Sequence, residues 1–374
     1  MPAAETILKI IFMRILIGTG TSGGHVFPAL ALAEALKAKG QEVLLVLPRK
    51  EQGYSLGLPE GLALKTIPAV VLSLRLDRKN LLGLWLFLAS GWESLKIVLK
   101  FKPDVAVGFG SLNTAALIFW AWLMRAKTLI HEQNVQLGQA NRLLAQLVDK
   151  VAVSFGQTQE GLKIDPQRVA LTGNPLRSGL LPVPRQSAGE FFGFKNEKTT
   201  ILIVGGSQGS RRLNTVCQEF FPGYPAKDRL QLIHICGQAD LASLREQYSS
   251  GGLVYKAFDF LAQMQYAYSI ADLVICRAGA TTIAELQRFK IPAILVPYPF
   301  AYAHQLANAR VLEKQGAAVI IRDEDFNPQT LGASLQRCLD DPGKLAAMRQ
   351  AYVLPKQDAL TELVREVLSF KLSG

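Results

Sequence analysis

One segment of the chain predicts the architecture of the rest: Ala271-Asp272-Leu273-Val274-Ile275-Cys276-Arg277-Ala278-Gly279-Ala280-Thr281-Thr282-Ile283-Ala284-Glu285-Leu286. The run Leu273–Cys276 is apolar and partly β-branched, as expected of a buried parallel strand. Gly279 ends that strand, and a helical segment separates it from a second apolar run at Ala293–Val296. A strand, a helix and a strand form a βαβ unit, and sheets built from such units bind ligands at the carboxyl ends of their strands. We therefore expect the loops 277–282 and 297–305 to carry a ligand site.

Glu285 in this segment has two interpretations. Thr282 and Glu285 have the spacing of a capping box, in which the glutamate bonds the backbone at the start of its own helix. Alternatively, the carboxylate accepts hydrogen bonds from the two hydroxyls of a ribose. The segment alone favours the capping box because such boxes are common. The motifs elsewhere in the chain change this preference between the two interpretations.

The composition is typical of a globular protein with an anionic partner. The 374 residues are enough for two or three domains, and 49% of them are hydrophobic. Only 19% are charged, which excludes a disordered chain and a coiled coil. A net charge of +11 suits nucleotide phosphates, a lipid diphosphate or an anionic membrane surface. Nucleic acid is disfavoured because the sequence has no basic run with interleaved aromatic residues.

Cysteine usage and the amino-terminal residues bear on location. Neither metal-ligand nor redox spacing relates the four cysteines, which are Cys217, Cys236, Cys276 and Cys338. This favours a reducing, cytoplasmic setting. Residues 1–12 are too short for a signal peptide, and Met13, which begins the first strand, is a candidate functional start.

Two strongly apolar runs, 81–89 and 117–124, are far shorter than the roughly 20 residues of a spanning helix. The first belongs to a segment that is apolar on all sides, with these residues: Leu81, Leu82, Leu84, Trp85, Leu86, Phe87, Leu88 and Trp92. Lysines and arginines flank it, as in a helix that lies on an anionic membrane surface. A buried core helix is the alternative.

Strands alternate with helices along the chain, which predicts a doubly wound α/β fold. Each half opens with a strand and a glycine-rich loop, at 15–25 in the first half and at 201–210 in the second. We therefore expect two Rossmann-like parallel-sheet domains that face each other across a cleft.

The boundary between the halves is expected in the polar, proline-containing segment 178–199. We assign residues 1–178 to an N-terminal domain and 179–355 to a C-terminal domain. The helical pattern at about 356–374 is expected to pack back on the first domain.

The glycine loop of the first half is suited to an anion. Gly18, Gly20 and Gly23 have the spacing of a dinucleotide fingerprint, but the second strand ends in Leu47-Pro48-Arg49 without an acidic residue. A nicotinamide cofactor is therefore disfavoured, whereas a glycine loop that leads into a helix remains a good anion site. Pro28 is expected in the first turn of that helix.

His25 stands at the start of the same helix. A lone histidine there is usually a capping or packing residue. However, the chain has only four histidines, and three of them fall in predicted carboxyl-end loops. Because an imidazole with a near-neutral pKa is a good general base, the catalytic interpretation also stays open.

Other polar groups stand where strands end. His131-Glu132-Gln133-Asn134 ends one strand, and at least one of these residues is expected to face the cleft. Arg177 is either a surface residue or a bidentate phosphate contact. The run Ser207–Ser210 offers hydroxyls and backbone donors for a phosphate.

Two motifs near the end of the second half are less specific. Gln305 and Asn308 are three apart on a helix and therefore share a face. The run Asp323-Glu324-Asp325 matches a metal-binding Asp-x-Asp, but it precedes Asn327-Pro328 and a helix. It is therefore more typical of a loop and a helix cap than of a metal site.

Six motifs considered together are specific to one family. They are Thr21–Leu30 (TSGGHVFPAL), His131–Asn134 (HEQN), Gly173–Arg177 (GNPLR), Gly205–Ser210 (GGSQGS), Cys276–Glu285 (CRAGATTIAE) and Gln305–Ala309 (QLANA). Over roughly Met13–Ile321, the chain resembles the peptidoglycan N-acetylglucosaminyltransferases of glycosyltransferase family 28. The resemblance implies a GT-B fold and inverting transfer of N-acetylglucosamine, without metal or cofactor. The donor would be UDP-N-acetylglucosamine and the acceptor lipid I (undecaprenyl-diphospho-N-acetylmuramoyl-pentapeptide), giving lipid II at the cytoplasmic face of the cell membrane.

The resemblance also implies roles for individual residues. Glu285 would bind the ribose hydroxyls, the backbone near Leu261 would contact the uracil, and Ser207 and Arg177 would meet the diphosphate. His25 is the implied base, with Glu132 as an alternative. The donor pocket would be lined by Ser22, Gly23, Gly24, Asn134, Ala280, Thr281, His304 and Gln305.

The chain departs from the family in two places. The family's second glycine loop, typically Gly-x-Gly-Gly-Tyr-x-Ser-Gly-Pro, is Gly108-Phe109-Gly110-Ser111-Leu112-Asn113-Thr114-Ala115-Ala116 here. Tyr302-Ala303-His304 also stands where the family usually has more polar residues. Because the glycine loop is thought to meet the acceptor, its change supports the alternative of another GT-B UDP-sugar glycosyltransferase with a different acceptor.

Two further alternatives remain. A UDP-N-acetylglucosamine 2-epimerase would consume the donor without an acceptor. A non-catalytic sugar-nucleotide binding protein would show no turnover.

Overall fold

The computed structural model describes residues 12–49, 61–69, 78–195, 197–206, 209–299, 304–341, 343–355 and 357–370, with the backbone alone at 78–84. The chain forms two compact units. The first comprises Met1–Arg177 and Gln357–Gly374, and the second comprises Ser178–Lys356.

The first unit is built on a seven-stranded parallel sheet. Its strands β1–β7 are Arg14–Thr19, Glu42–Pro48, Ala63–Ile67, Val105–Phe109, Lys127–Glu132, Lys150–Val153 and Val169–Leu171. The order across the sheet is β3-β2-β1-β4-β5-β6-β7. Helices α1–α5 are Gly23–Ala38, Arg78–Phe101, Leu112–Leu123, Gln139–Leu144 and Gly156–Glu160, and a 3-10 turn occupies Pro166–Arg168.

The second unit repeats this plan with six parallel strands. Strands β8–β13 are Thr199–Val204, Leu230–Ile235, Tyr255–Phe258, Leu273–Cys276, Ala293–Leu295 and Ala318–Ile320, in the order β10-β9-β8-β11-β12-β13. Helices α6–α13 are Arg185–Phe192, Arg211–Phe220, Leu241–Ser250, Met264–Ile270, Ala280–Phe289, His304–Gln315, Pro328–Leu339 and Lys344–Gln350. Short 3-10 turns occupy Phe221–Gly223 and Lys227–Arg229.

Burial on both faces explains why the central strands are continuous apolar runs. In β1, Ile15, Leu16 and Ile17 are all fully buried, although successive side chains point to opposite faces of the sheet. Helices on both faces provide this cover, as parallel sheets require. The predicted fold of two doubly wound parallel-sheet domains is confirmed.

The strand order of each sheet reverses at its first strand. In the first unit, β2 and β4 lie on opposite sides of β1, and in the second, β9 and β11 lie on opposite sides of β8. Ligands of doubly wound sheets bind beside the carboxyl ends of the strands at such a switch point. The loops that follow β1, β4, β8 and β11 are therefore the expected sites.

Helix α1 begins earlier than the proline suggested. Ser22 is its N-cap, so Gly23, Gly24 and His25 form the first turn and Pro28 lies inside the helix. Pro28 lacks the N–H that would bond the carbonyl of Gly24. The expectation that Pro28 marks the first turn was wrong, and the shorter loop places His25 on the helix itself.

The last helix of the chain, Ala359–Ser369, packs on α1 of the first unit. Leu363, Val364 and Val367 join the hydrophobic core that also contains Ile15. Lys150 at the start of β6 donates to the Glu366 carboxylate over 2.6 Å. These contacts make the helix Ala359–Ser369 part of the first unit.

Candidate active site

The residues proposed from sequence lie at the carboxyl edges of the two parallel sheets. In the first unit, His25, Glu132 and Arg177 follow β1, end β5 and follow β7, respectively. In the second unit, Leu261, the 277–280 loop and His304 follow β10, β11 and β12. Ser207 lies outside the described residues. Each unit is considered by itself below.

Ser22 holds the imidazole of His25. The Ser22 hydroxyl oxygen lies 2.7 Å from His25 Nδ1. Ser22 is also the N-cap of α1, yet its side chain makes no capping bond to the helix backbone. A serine at this position usually caps its helix and stabilises it by about 1 kcal/mol. Here the hydroxyl orients the histidine instead.

Two glycines enclose the ring of His25. A Cβ atom added at Gly20 would lie 3.0 Å from His25 Nδ1, and one added at Gly110 would lie 3.4 Å from Nε2. The imidazole therefore sits between the glycine loops that follow β1 and β4. Burial lowers the pKa of His25 from its ordinary value, and the nearby Glu132 carboxylate offsets part of that effect. A lowered pKa favours the neutral imidazole, the form that can accept a proton.

Glu132 organises the loop that follows β5. Its side chain is buried, and one oxygen accepts from the backbone N–H and the amide of Asn134, at 3.0 and 3.2 Å. The other oxygen accepts from the Gly138 N–H at 3.0 Å and from the Asn141 amide at 2.9 Å. Charge-assisted bonds of this kind satisfy a buried carboxylate. Its oxygens are thus engaged in holding this loop next to His25.

His131 is part of the same framework. Its Nε2 lies 2.9 Å from the Gly173 carbonyl oxygen, and its Nδ1 lies 3.1 Å from the Gln133 amide nitrogen. Burial lowers the pKa of His131 to about 4, despite opposing contributions from Gly173 and Glu132. This neutral, fully bonded histidine links the loops after β5 and β7.

Arg177 stands at the end of the loop that follows β7. Its guanidinium carbon lies 5.5 Å from the ring centre of Phe27, within the range of a cation–π contact. The side chain is half-buried, so part of it stays accessible. Phe27 follows His25 by two residues on α1, which brings Arg177 to the same edge of the sheet as the histidine.

Arg277 connects four loops of the second unit. It is buried, its Nε donates to the Ser210 hydroxyl at 3.0 Å, and its Nη1 donates to the Val296 carbonyl at 3.1 Å. Nη1 also bonds the Asp323 carboxylate. These partners lie beyond β8, β12 and β13, while Arg277 itself follows β11. One guanidinium therefore fixes the carboxyl edge of this sheet.

Asp323 is accordingly an ion-pair partner in this structure. The residues that follow it form the predicted loop and cap, because Asn327 caps α12 and shares a capping box with Thr330. That part of the expectation for residues 323–328 is confirmed.

Gln305 and Asn308 hold the loop after β11. The Gln305 side-chain oxygen accepts from the N–H groups of Ala278 and Tyr298, at 3.1 and 2.9 Å. The Asn308 amide donates to the Ala278 carbonyl at 3.2 Å. Both side chains of this pair therefore bond the backbone of one residue, Ala278, in the loop that leads into Ala280 and Thr281 at the start of α10.

Glu285 is not part of a capping box. Helix α10 begins at Ala280 with Gly279 as its N-cap, so Glu285 lies in the second turn, beyond reach of the helix start. The capping-box interpretation was wrong because the chain becomes helical as soon as it leaves Gly279. The carboxylate instead accepts a hydrogen bond of 2.7 Å from the Tyr268 hydroxyl.

Leu261 lies in the loop that joins β10 to α9. Its side chain is buried, whereas the neighbouring Phe260 is exposed. The Leu261 side chain therefore packs in the interior of the second unit.

Comparison with family models decides the relationship. The N-terminal domain model of glycosyltransferase family 28 matches residues 15–153, and the C-terminal domain model matches residues 200–363. The two matches cover both sheets. The chain belongs to glycosyltransferase family 28.

Family 28 members with similar sequences share one name. UDP-N-acetylglucosamine--N-acetylmuramyl-(pentapeptide) pyrophosphoryl-undecaprenol N-acetylglucosamine transferase of Halothermothrix orenii is 35% identical over 356 residues, covering 91% of this chain and 94% of the relative. The protein of the same name from Thermodesulfovibrio yellowstonii is 35% identical over 351 residues, covering 91% and 93%. The chain is thus similar to these transferases over nearly their whole length.

Solved structures agree on the GT-B fold. MurG of Acinetobacter baumannii matches with a TM-score of 0.74 and 26% identity, covering 95% of this chain and 99% of that one. A Listeria monocytogenes protein described as a UDP-N-acetylglucosamine 2-epimerase matches with a TM-score of 0.69 but only 14% identity. The latter likeness shows the fold alone.

The second glycine loop of this family 28 chain carries unusual backbone geometry. Gly110 and Ser111 both have a φ of 76°, and Ser111 combines it with a ψ of 151°, a region used almost only by glycine. The Ser111 hydroxyl accepts from the N–H and the amide of Asn113, both at 3.1 Å, which caps α3. The loop thus keeps a glycine-like path although the family's third glycine is a serine here.

Replacing Ser111 with glycine should therefore stabilise the protein. Relief of the strained backbone is worth about 1–3 kcal/mol. The added chain entropy of glycine subtracts about 0.5–1 kcal/mol, and loss of the Ser111 cap subtracts roughly a few tenths of a kcal/mol more. We expect a net gain of about 1 kcal/mol in the free energy of unfolding, measured by urea denaturation. Ser111→Ala keeps the Cβ atom and is the control. A Ser111→Gly variant no more stable than Ser111→Ala would show that the loop is not strained.

Several site residues could not be recognised from sequence. Tyr268 and Asn141 have no motif of their own, and each acts through a carboxylate elsewhere, Glu285 and Glu132 respectively. The sequence places Gly110 in a glycine loop but does not predict its contact with His25, because that contact requires β1 to pair with β4.

Proposed function

We propose that this chain transfers N-acetylglucosamine from UDP-N-acetylglucosamine to lipid I, forming lipid II in peptidoglycan synthesis. The observation that supports it most is the similarity, across both domains, to relatives named for this reaction. The neutral, enclosed His25 at the first switch point is consistent with the chemistry.

In this proposal His25 is the general base. A nitrogen of its imidazole takes the proton of the acceptor hydroxyl while that oxygen attacks the anomeric carbon of the sugar. The new C–O bond forms as the bond to the UDP oxygen breaks, and UDP leaves with the electron pair, so the configuration inverts. Glu132, whose oxygens are bonded to its own loop, would raise the basicity of His25 through its charge.

The second unit would bind the donor. Glu285 would accept from the ribose hydroxyls, and the backbone at Leu261 would contact the uracil. The helix start after the glycine loop of this unit, together with Ser207, would stabilise the charge on the leaving diphosphate. The start of α10 at Ala280 and Thr281, together with His304 and Gln305 of α11, would surround the sugar.

Transfer should not require a divalent cation. In the one Asp-x-Asp run of the sequence, the first carboxylate is paired with Arg277 and is therefore already occupied as a potential metal ligand. We expect protein treated with EDTA to retain its transfer rate within about twofold. Strict dependence on added magnesium or manganese would contradict this part of the proposal.

We also propose that the first unit rests on the cytoplasmic face of the membrane. On α2, Trp85, Leu88 and Trp92 are 64%, 62% and 59% exposed. The adjacent helix α3 exposes Phe119, Trp122, Leu123 and Met124. A buried core helix, the alternative interpretation, would not leave these aromatic side chains in water. In the part of the chain that the structure describes, no helix has the length and apolarity to cross a bilayer.

Cations border this surface. Lys96 Nζ lies 5.5 Å from the ring centre of Trp92 and 3.1 Å from the carboxylate of Glu93, which offsets part of its charge. Lys100 is exposed one turn later on α2. Each cation near an anionic bilayer contributes about 1 kcal/mol of attraction. An apolar face with such a border is suited to a bilayer surface that also holds the lipid-linked acceptor.

Replacing Trp85 and Trp92 with serine should release the protein from vesicles. Because both rings are exposed, we expect binding to anionic phospholipid vesicles to fall at least tenfold while the melting temperature changes by only a few degrees. Val353→Ser removes an exposed apolar side chain of the second unit and should bind like the unmodified protein. Unchanged vesicle binding by the double variant, or loss of its fold, would contradict the membrane proposal.

A different acceptor is the second candidate function. It is favoured by one observation, the changed loop 108–116, in which Ser111, Leu112 and Ala116 replace the glycine, tyrosine and proline typical of the family. Under this alternative the chain would still release UDP from UDP-N-acetylglucosamine. Transfer would then occur to another hydroxyl compound and not to a lipid I analogue.

A further inference from the structure

A buried tyrosine from a neighbouring helix holds the carboxylate of Glu285. Tyr268 lies on α9 and is only 2% exposed, and its hydroxyl donates to Glu285 Oε2 over 2.7 Å. The Tyr268 ring packs against Phe289, with 5.2 Å between ring centres. The phenol is therefore fixed in place, and the carboxylate that it bonds is fixed with it.

Glu285 itself stays half-buried at the carboxyl edge of the sheet. The pKa of the Cys276 thiol, the last residue of β11, is raised first by burial and then by the charge of Glu285. Glu285 lies in the second turn of α10, the helix that follows β11. Tyr268 is buried, whereas the Glu285 side chain that it bonds is partly exposed.

We propose that Tyr268 is a positioning residue that sets the preference of this site for ribonucleotides over 2′-deoxyribonucleotides. The inference rests on the proposed role of Glu285 as the ribose ligand. A carboxylate has about four lone-pair positions, and the Tyr268 hydroxyl uses one of them. The last torsion of a glutamate side chain is soft, so the bond from Tyr268 helps to fix the plane of the carboxylate. That plane would present carboxylate oxygens to the 2′ and 3′ hydroxyls together.

Preorganisation gives this arrangement its effect on binding. Without the phenol, more of the ordering of the carboxylate would take place when the ribose binds, which weakens binding by roughly three- to tenfold for one such side chain. A nucleotide that lacks the 2′ hydroxyl gains little from the fixed carboxylate and should lose little when the phenol is removed. The ratio of the two affinities, and not stability alone, therefore reports the role of Tyr268.

A purely structural role is the competing explanation. A buried phenol requires an acceptor, and Glu285 could serve only that need. Tyr352 provides a matched control because it is also buried in the second unit and donates to the Ile291 carbonyl. Tyr352→Phe removes an equivalent hydroxyl without touching Glu285.

Calorimetric titration of the full chain with UDP and with 2′-deoxy-UDP tests the inference. For Tyr268→Phe we expect the dissociation constant of UDP to rise roughly three- to tenfold and that of 2′-deoxy-UDP to rise less than about twofold. Glu285→Ala should weaken UDP binding more, and adding Tyr268→Phe to Glu285→Ala should have no further effect. Tyr352→Phe should leave the ratio of the two constants unchanged.

Two outcomes would overturn the inference, and they differ in what else they affect. If Glu285→Ala weakens UDP binding but Tyr268→Phe leaves the ratio of the two constants unchanged, Tyr268 is only structural and the ribose role of Glu285 stands. If Glu285→Ala itself leaves UDP affinity unchanged, both the ribose assignment and the inference built on it fail.

Discussion

The His25→Ala variant is expected to transfer N-acetylglucosamine roughly 10²–10⁴-fold more slowly than the unmodified protein, the usual range for loss of a general base. Binding of UDP-N-acetylglucosamine should stay near normal, because the donor contacts proposed for the second unit are untouched. Single-turnover kinetics and calorimetric titration of the donor together check this result.

The pH profile of the unmodified protein gives an independent test of His25. A base works only when it is unprotonated, and burial lowers the pKa of His25 below its ordinary value. Transfer should therefore decline on the acid side through an apparent pKa below about 6.5, and the His25→Ala variant should lack that limb. If donor binding collapses in His25→Ala while the turnover of bound donor is intact, His25 contacts phosphate or packs and is not the base.

The Arg277→Met variant is expected to lose about 3 kcal/mol of unfolding free energy. Arg277 and Asp323 are largely buried, so removing the guanidinium leaves a carboxylate with little solvent. We expect the lower end of the usual range because Arg212 Nε remains 3.9 Å from Asp323. The affinity for UDP should fall as well, because the Arg277 guanidinium would no longer hold the four loops together. Urea denaturation and calorimetric titration measure the two effects.

A neighbouring arginine provides the control for Arg277. Arg322 pairs with Glu324 at 3.5 Å, but both side chains are about 60% exposed. Its replacement by methionine should cost less than about 1 kcal/mol, as exposed ion pairs do. Adding Asp323→Asn to Arg277→Met removes the uncompensated charge and should restore part of the loss. If Arg277→Met and Arg322→Met have equal free energies of unfolding, the buried ion pair contributes no more to stability than the exposed one, and the prediction is contradicted.

The fold could be predicted because its determinants are local. The apolar runs of β1 and β11 and the glycines that follow them are neighbours in sequence, and each signals its own element. The same holds for His25, which lies within a few residues of the loop that positions it. The resemblance to the family was then recognised from six short motifs that occur in a fixed order along the chain.

The roles of the carboxylates could not be predicted, because their partners are distant in sequence or lack a signature. Spacing alone suggested a capping box at Glu285. The helix start at Ala280 excludes that box. The actual partner, Tyr268, lies on α9 and bonds Glu285 because α9 packs on α10. Glu132 was proposed as an alternative base. Only the folded loop reveals the donors from Gly138 and Asn141 that engage its oxygens.

Backbone conformation is the other quantity that sequence alone does not disclose. Ser111 was noticed as a departure from the family's glycine, which suggested a changed acceptor. The structure adds that the chain keeps a positive φ at this serine. A change of residue at such a position need not change the path of the loop.

The most direct test of the proposed function follows the fate of sugar-labelled UDP-N-acetylglucosamine with and without a lipid I analogue. We expect the label to move to the lipid-linked product only when the analogue is present, with one UDP released for each sugar transferred. Donor consumed equally without the analogue would indicate an isomerase or hydrolase. A donor that binds but never transfers to the analogue would contradict the proposed acceptor.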